Sequence, residues 1–406
     1  MMTPPGVTDS APPLTGLKVV ELARILAGPW IGQTLADLGA DVIKVESPDG
    51  DDTRLWGPPF VERIDGAQAD AAYFHCCNRG KRSVVADLTT DEGQALVRDL
   101  VAQADVFIEN FKVGGLRKYG LDYSTLASIN PRLIYCSVTG FGQDGPYAQR
   151  AGYDAMIQAM GGIMDLTGEP DGGPQKIGVA FADLFTGLYG VIAIQAALTV
   201  RRKTGCGQHV DMSLLDCMVG VLANQALNYL VSGKSPRRLG TAHPNIVPYQ
   251  VFAASDGHLM LAVGNDAQFR RLCDILGAPE LAADPRFATN AARVACRDEL
   301  IPLLRMVLVR FSRDEILRQL ALSGIPASAI NTVEEVFEDP QVVHRGLRID
   351  TRDPGVRGGG IPGVRTPIRF SKSTLATSRR APRLGEHDEE VRREILERKG
   401  RRKESS

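Results

Sequence analysis

The stretch GVAFADLFTGLYG, residues 178 to 190, sets one carboxylate, Asp183, among alanine, glycine and aromatic side chains. No other charged residue occurs between Gly178 and Val200. Two readings stand side by side. An acid in the first turn of a helix commonly caps it by accepting an orphan backbone N–H. The alternative is chemical. A carboxylate at a helix N-terminus is expected to stay ionised, near or below its ordinary pKa of about 3.9. Gly178, Ala180, Ala182 and Gly187 would leave room for a bulky substrate, and a shielded, poorly solvated carboxylate is a competent nucleophile.

Other residues invite chemistry less directly. GFGQDG, residues 140 to 145, has the GxGxxG spacing of a dinucleotide loop after a predicted strand. That fingerprint needs its third glycine to open a helix onto which a pyrophosphate docks. Here Pro146 follows that glycine and Gly152 interrupts the next turns, so nicotinamide binding and hydride transfer are disfavoured. The loop is left as a possible backbone N–H cradle for a phosphate or a thioester oxygen. NRGKRS, residues 78 to 83, with Arg54, Arg117 and Lys118, forms a loose basic set. It reads either as solvated surface charge or as a phosphate site at the carboxyl ends of strands. His243 and Cys206 have no partner at a diagnostic spacing and are expected to be packed or hydrogen-bonded.

The elements that must position these groups alternate. LKVVELA, DVIKVES, DVFIENF and RLIYCSV read as buried strands, and WIGQTLADLGA and DEGQALVRDLVAQA as helices. Short apolar strands separated by amphipathic helices predict an α/β fold, with a parallel sheet covered on both faces. Later, VPYQVFAASDGHLMLAVGN predicts a strand pair around the turn Ser255-Asp256-Gly257. The expected organisation is a leader over 1–14, the first part of a large α/β domain over 15–210 and a linker helix and loop over 211–238. A small α+β domain follows over 239–324, then a return segment and the C-terminal part of the large domain over 325–406. The charged tail EEVRREILERKGRRKESS is expected to be a fraying surface helix.

Composition excludes several function classes. The formal net charge of -1 gives no reason to expect nucleic acid or an anionic membrane as partner. Seven cysteines without a CxxC pair fit a reducing compartment and offer no zinc site, so a cytoplasmic protein is expected. The longest apolar stretch, LYGVIAIQAALTV, is well short of the ~20 residues of a membrane span.

Taken in order, LGADVIKVESP, NRGKRSVVADL, ADVFIENF, SVTGFGQDGPY, AGYDAMIQAMGGIMDLTGEPDG and TGCGQHVDMSLLD resemble the class III CoA-transferases. That family includes formyl-CoA transferase, carnitine CoA-transferase and α-methylacyl-CoA racemase. The resemblance runs from PLTGLKVVELARILAGP to PRLGEH and covers nearly the whole chain. It implies a Rossmann-like large domain built from both chain ends, an interlocked homodimer, and coenzyme A or acyl-CoA as substrate with no tightly bound cofactor. It also implies that Asp183 is the nucleophile, passing through an acyl-aspartyl anhydride and an aspartyl-CoA thioester.

The implied CoA contacts carry over residue by residue. Asn110 and Phe111 match the adenine and ribose neighbourhood, and Lys81 a basic phosphate contact. Lys118 stands where formyl-CoA transferase has an arginine. Leu26 takes the place of a glutamine of that enzyme, Ser47 of an arginine, and Thr139 and Phe141 of a lysine and a tyrosine, which argues against formate or oxalate as acceptor. The racemase branch carries a histidine in GHD where this chain has Tyr153 in GYD, and a tyrosine is a poor second proton carrier at neutral pH. A non-catalytic CoA-binding homologue is the remaining alternative, against which the retained Asp183 speaks. GDDTRLWGPPFV, VAFADLFTGLYG and GTAHPNIVPYQVF resemble the subgroup acting between succinyl-CoA and glutarate or hydroxymethylglutarate. A dicarboxylate acceptor needs a cation for its distal carboxylate, and Arg54 and Arg150 are the two candidates.

Overall fold

A computed structural model describes residues 11–404. Most of the leader expected over 1–14 therefore lies outside the described residues. Within the part that is described, the Leu14 N–H bonds to the Leu38 carbonyl at 2.8 Å. The chain forms two compact units. One takes the chain up to Gly162, Ile177–Ala226 and Gln341 onward, and the other takes Ile163–Lys176 and Leu227–Pro340. The second unit thus contains the 239–324 segment together with flanking chain on both sides.

The first unit is built on a six-stranded parallel sheet. Its strands are β1 (Lys18–Leu22), β2 (Asp41–Glu46), β3 (Arg82–Val85), β4 (Val106–Glu109), β5 (Ile134–Thr139) and β6 (Gln208–Ser213), in the order β3-β2-β1-β4-β5-β6. Val19, Val20, Val106, Phe107, Ile108 and Ile134 are all buried, as sheet strands covered on both faces require. The order reverses between β1 and β4, so a crevice opens where their carboxyl ends diverge. Helices α1 (Ala27–Asp37), α2 (Ala72–Asn78), α3 (Asp91–Val101), α4 (Tyr123–Ile129), α5 (Asp154–Met160) and α6 (Phe181–Thr204) belong to the same unit.

Helix α6 packs on α1, β5 and β6. It is the one single helix among the described residues long and apolar enough to cross a membrane, yet Thr186, Gly187, Gly190, Ile194 and Ala197 on it are buried. Close approach to α1 depends on two glycines. A Cβ on Gly187 would stand 2.9 Å from the Trp30 ring, and one on Gly190 2.5 Å from Ile31 Cδ1. The space at Gly187 is therefore filled by Trp30 and not held open for substrate, which corrects the sequence expectation.

The C-terminal helix α7 (Asp388–Glu404) is more than surface. Val391 and Ile395 enter the core beside Val20 and Phe107. Arg82 of β3 bridges Glu390 and Glu394 at 3.0 and 2.9 Å. The fraying tail helix expected from its charge is thus, over these turns, the cover of the β3 edge.

In the second unit β7 (Tyr249–Ala253) and β8 (His258–Ala262) form the expected antiparallel pair, with β9 (Ala327–Ala329) on the other side of β8. The Ala254 N–H closes the turn onto the Gly257 carbonyl at 2.8 Å. Phe252, Leu259, Leu261, Phe269, Phe287 and Leu304 make its core.

Candidate active site

A cavity of about 450 Å³ lies in the first unit, beyond the carboxyl ends of β1, β4 and β5. Arg24, Ile25 and Leu26 line one side, following β1. Asn110, Phe111 and Lys112 follow β4, and Thr139 and Gly140 follow β5. Asp183, Asp154 and Tyr153 also line it, together with Lys118 and Arg150. The location is the one the strand order dictates for a ligand in an open α/β sheet. Four cations, Arg24, Lys112, Lys118 and Arg150, share this cavity with Asp183.

Asp183 is the third residue of α6, whose N-cap is Ala180. The capping is done from another helix. Asp154 Oδ1 accepts from the Ala182 N–H at 2.8 Å and from the Asp183 N–H at 3.4 Å. Gln158, one turn along α5, donates to Asp154 Oδ2 at 2.8 Å and accepts from the Ile177 N–H at 2.9 Å. Asp154 and Gln158 thus hold the chain that enters α6, and the Asp183 carboxylate is not spent as a cap. Asp183 is only 8% exposed. Burial, and after it the charge of Asp154, pushes its pKa up to about 7. The expectation of a value near or below 3.9 is overturned. Desolvation outweighs the helix terminus because no cation or donor pairs with the carboxylate among the described residues.

The other residues singled out from sequence separate into two groups. Leu26, Asn110, Phe111, Lys118, Thr139, Arg150 and Tyr153 line the cavity. Asn110 does so with its amide already committed, since Oδ1 accepts from the Arg24 N–H at 3.0 Å and Nδ2 donates to the Arg24 carbonyl at 2.7 Å. Arg150 lies over the Tyr147 ring at 4.6 Å, and Phe141 stands behind it, edge-on to Tyr147. Phe141 itself does not line the cavity.

Lys81 and Arg54 fall away from it. Lys81 is fully buried under α1, paired with Glu21 at 2.7 Å and donating to the Pro29 carbonyl and Asn78. Burial pulls its ammonium below the usual value against the pull of Glu21. It is a core cation and does not reach a phosphate in the cavity, which corrects the sequence assignment. Arg54 is bound to Glu46 and Asp70, both at 2.7 Å, and lies 3.7 Å over the Phe74 ring. It lines a different cavity, of about 350 Å³, so it is no substrate cation here.

The GFGQDG loop consumes its own donors. Gly142 N–H bonds to Thr139 Oγ1 and Gln143 N–H to Asp211 Oδ2, both at 2.9 Å. Gly140 is a glycine because a Cβ there would meet Gly152 Cα at 2.6 Å. The loop is a tight turn packed on a second turn, and these two N–H groups are not a phosphate cradle. His243 stacks on Tyr249 in the second unit, and the Cys206 N–H bonds to Thr204 Oγ1.

Sequence reasoning missed Arg24, Lys112 and Asp154. Arg24 and Lys112 follow β1 and β4 directly, so the switch-point rule would have found both. Asp154 stands beside Tyr153 in GYD, and attention to the tyrosine passed over it.

The arrangement can hold an elongated polyanion along a cationic, partly aromatic wall and present a shielded carboxylate at its end. Comparison with known proteins agrees. The sequence model of CoA-transferase family III matches residues 14–388. The chain is 59% identical to the succinate–glutarate CoA-transferase of Agrobacterium fabrum, over 95% of this chain and 96% of that protein. It is 43% identical to succinyl-CoA:glutarate CoA-transferase of Homo sapiens, over 95% of this chain and 86% of that one. Among solved structures it is similar to a CAIB/BAIF family protein from Brucella suis, with a TM-score of 0.85 and 64% identity, covering 95% of this chain and 100% of that one.

Proposed function

Since the chain belongs to CoA-transferase family III, we propose that it moves CoA from succinyl-CoA to a second dicarboxylate of the glutarate type, with Asp183 as nucleophile. The observation that carries the residue assignment is the buried, unpaired Asp183 carboxylate facing a cavity with four cations. An Asp183 oxygen attacks the thioester carbonyl, and the C–S bond breaks to give an acyl-aspartyl anhydride and CoA thiolate. The thiolate attacks the aspartyl carbonyl, releasing the donor carboxylate and leaving an aspartyl-CoA thioester. The acceptor carboxylate attacks that thioester and frees the thiolate again. Attack of thiolate on the acceptor's acyl carbon then yields the new acyl-CoA and restores Asp183. Each step exchanges one activated acyl bond for another.

The chain's residues serve three needs of this sequence. Asp183 reacts ionised, and a pKa raised to about 7 makes the carboxylate more basic while leaving it largely ionised at slightly alkaline pH. Its low exposure keeps water from the anhydride. Arg24, Lys112 and Lys118 supply charge for the CoA phosphates, and Phe111 an aromatic wall for the adenine. Arg150 takes the distal carboxylate of the acceptor, a choice supported by the engagement of Arg54 with Glu46 and Asp70. Exposed Leu188, Tyr189 and Ile192 on one face of α6 support an interlocked homodimer. Seven free cysteines support a cytoplasmic location.

The test is label exchange read by mass spectrometry, with succinyl-CoA and a panel of free acids. A new dicarboxylyl-CoA, formed with matching loss of succinyl-CoA and little free CoA, is expected. Asp183→Ala should abolish exchange while CoA binding persists. Normal turnover by that variant would remove Asp183 from the chemistry.

A further inference from the structure

Behind the cavity wall lies a buried acid that the transfer chemistry does not use. Glu109 ends β4 and is 5% exposed. Its Oε2 accepts from the Phe111 N–H at 2.7 Å, and the nearby Ser137 hydroxyl of β5 favours the ionised form of the same carboxyl. Ser137 Oγ stands 2.9 Å from His209 Nε2 of β6. His209 in turn stacks on Tyr123 at 5.0 Å.

We propose that Glu109 is a positioning residue for acyl-CoA, fixing the Phe111 side of the cavity through its backbone N–H and doing so as the carboxylate. The role rests on the CoA-transfer reading above. Asn110 ties this turn to the Arg24 backbone, so Arg24, Asn110 and Phe111 are linked in one wall. A carboxylate offers only acceptor oxygens to the Phe111 N–H and the Ser137 side, and a charge-assisted bond is roughly twice as strong as a neutral one. A protonated or amidated side chain must point a donor at one of them.

The surroundings make this ionisation sensitive to pH near neutrality. No cation pairs with Glu109 among the described residues. On β1 it faces Leu22, and the neighbouring Glu21 is tied to Lys44 and Lys81. On β5, Tyr135 and Cys136 are both pushed up by burial and stay neutral. On β6, Asp211 adds a negative charge, and His209 is held below its usual value by burial. Burial is the largest influence on Glu109, with Ser137 and Phe111 opposing it and Asp211 adding to it, and its pKa rises to about 7.

The experiment is CoA titration by calorimetry of wild type, Glu109→Gln and Ser137→Ala from pH 6 to pH 8, at constant ionic strength. Wild type should lose affinity about three- to tenfold more than Glu109→Gln as pH falls, the size of the difference between a charged and a neutral hydrogen bond. Glu109→Gln should keep the slope it shares with wild type, set by the CoA phosphate, whose second pKa is about 6, and by Asp183. In exchange assays its defect should fall on KM for acyl-CoA and not on kcat. Ser137→Ala removes a hydroxyl that favours the carboxylate, so the wild-type midpoint should move to higher pH. That variant decides the matter if Glu109→Gln does not fold. Parallel curves for wild type and Glu109→Gln, or an unmoved Ser137→Ala midpoint, would overturn the role of Glu109 while leaving CoA transfer standing. Failure of wild type to bind CoA would overturn both.

Discussion

Replacing Asp183 with asparagine should make the protein more stable, and increasingly so as pH rises. The folded state raises this carboxyl from 3.8 to about 7. At about 1.4 kcal/mol per pH unit, keeping it ionised costs the folded protein about 4 kcal/mol above pH 7. The sign follows from proton binding. Between the two pKa values the folded state holds the proton and the unfolded state does not, so stability is full below 3.8 and is lost as pH climbs through 7. Asparagine has nearly the same shape and no charge. Its advantage over wild type should grow by about 2.5 kcal/mol between pH 5 and pH 8. Any cost of burying the amide is the same at every pH and drops out of the slope. Urea unfolding followed by tryptophan fluorescence is the assay. The two tryptophans, Trp30 and Trp56, both lie in the first unit, and Trp30 packs against Gly187, one turn beyond Asp183. An advantage that stays flat from pH 5 to pH 8 would show that the folded carboxyl titrates normally, and the reasoning about its desolvation would be refuted.

Asp154→Asn keeps an oxygen for the Ala182 N–H but removes the neighbouring charge. The acid limb of the kcat/KM profile should therefore move to lower pH, and an unmoved limb would deny the coupling between the two acids. Lys81→Met should cost about 3 kcal/mol or more in urea unfolding, because it leaves part of the Glu21 charge buried without its partner. CoA affinity of the folded variant should stay close to wild type. A large loss of affinity without loss of stability would restore Lys81 to the phosphate site.

The central strands were legible because β1, β2, β4 and β5 are nearly continuous apolar runs. The two edge strands were not. β3 is four residues long and starts inside a basic cluster, while β6, QHVDMS, is polar at all but Val210 and Met212. A domain boundary drawn at residue 210 cuts through it. The charged residues inside the runs, Glu21, Lys44 and Glu46, carried a signal that went unread. Buried charges require partners, and Arg54 and Lys81, read as candidate ligand contacts, are those partners. Asp183 was recognised but its ionisation was not, because the neighbour that caps α6 and repels the carboxylate is 29 residues upstream, a proximity only the fold creates.

The placement of α7 has a consequence for biosynthesis. Val391, Ile395 and the partners of the Arg82 bridges lie on α7, C-terminal in sequence to Leu227–Pro340. The ribosome has therefore made the whole of Leu227–Pro340 before the β3 edge can be covered. An uncovered strand edge is a template for pairing with other chains. The nascent protein spends the interval with that edge open, and the turns of α7 are the ones that end its exposure.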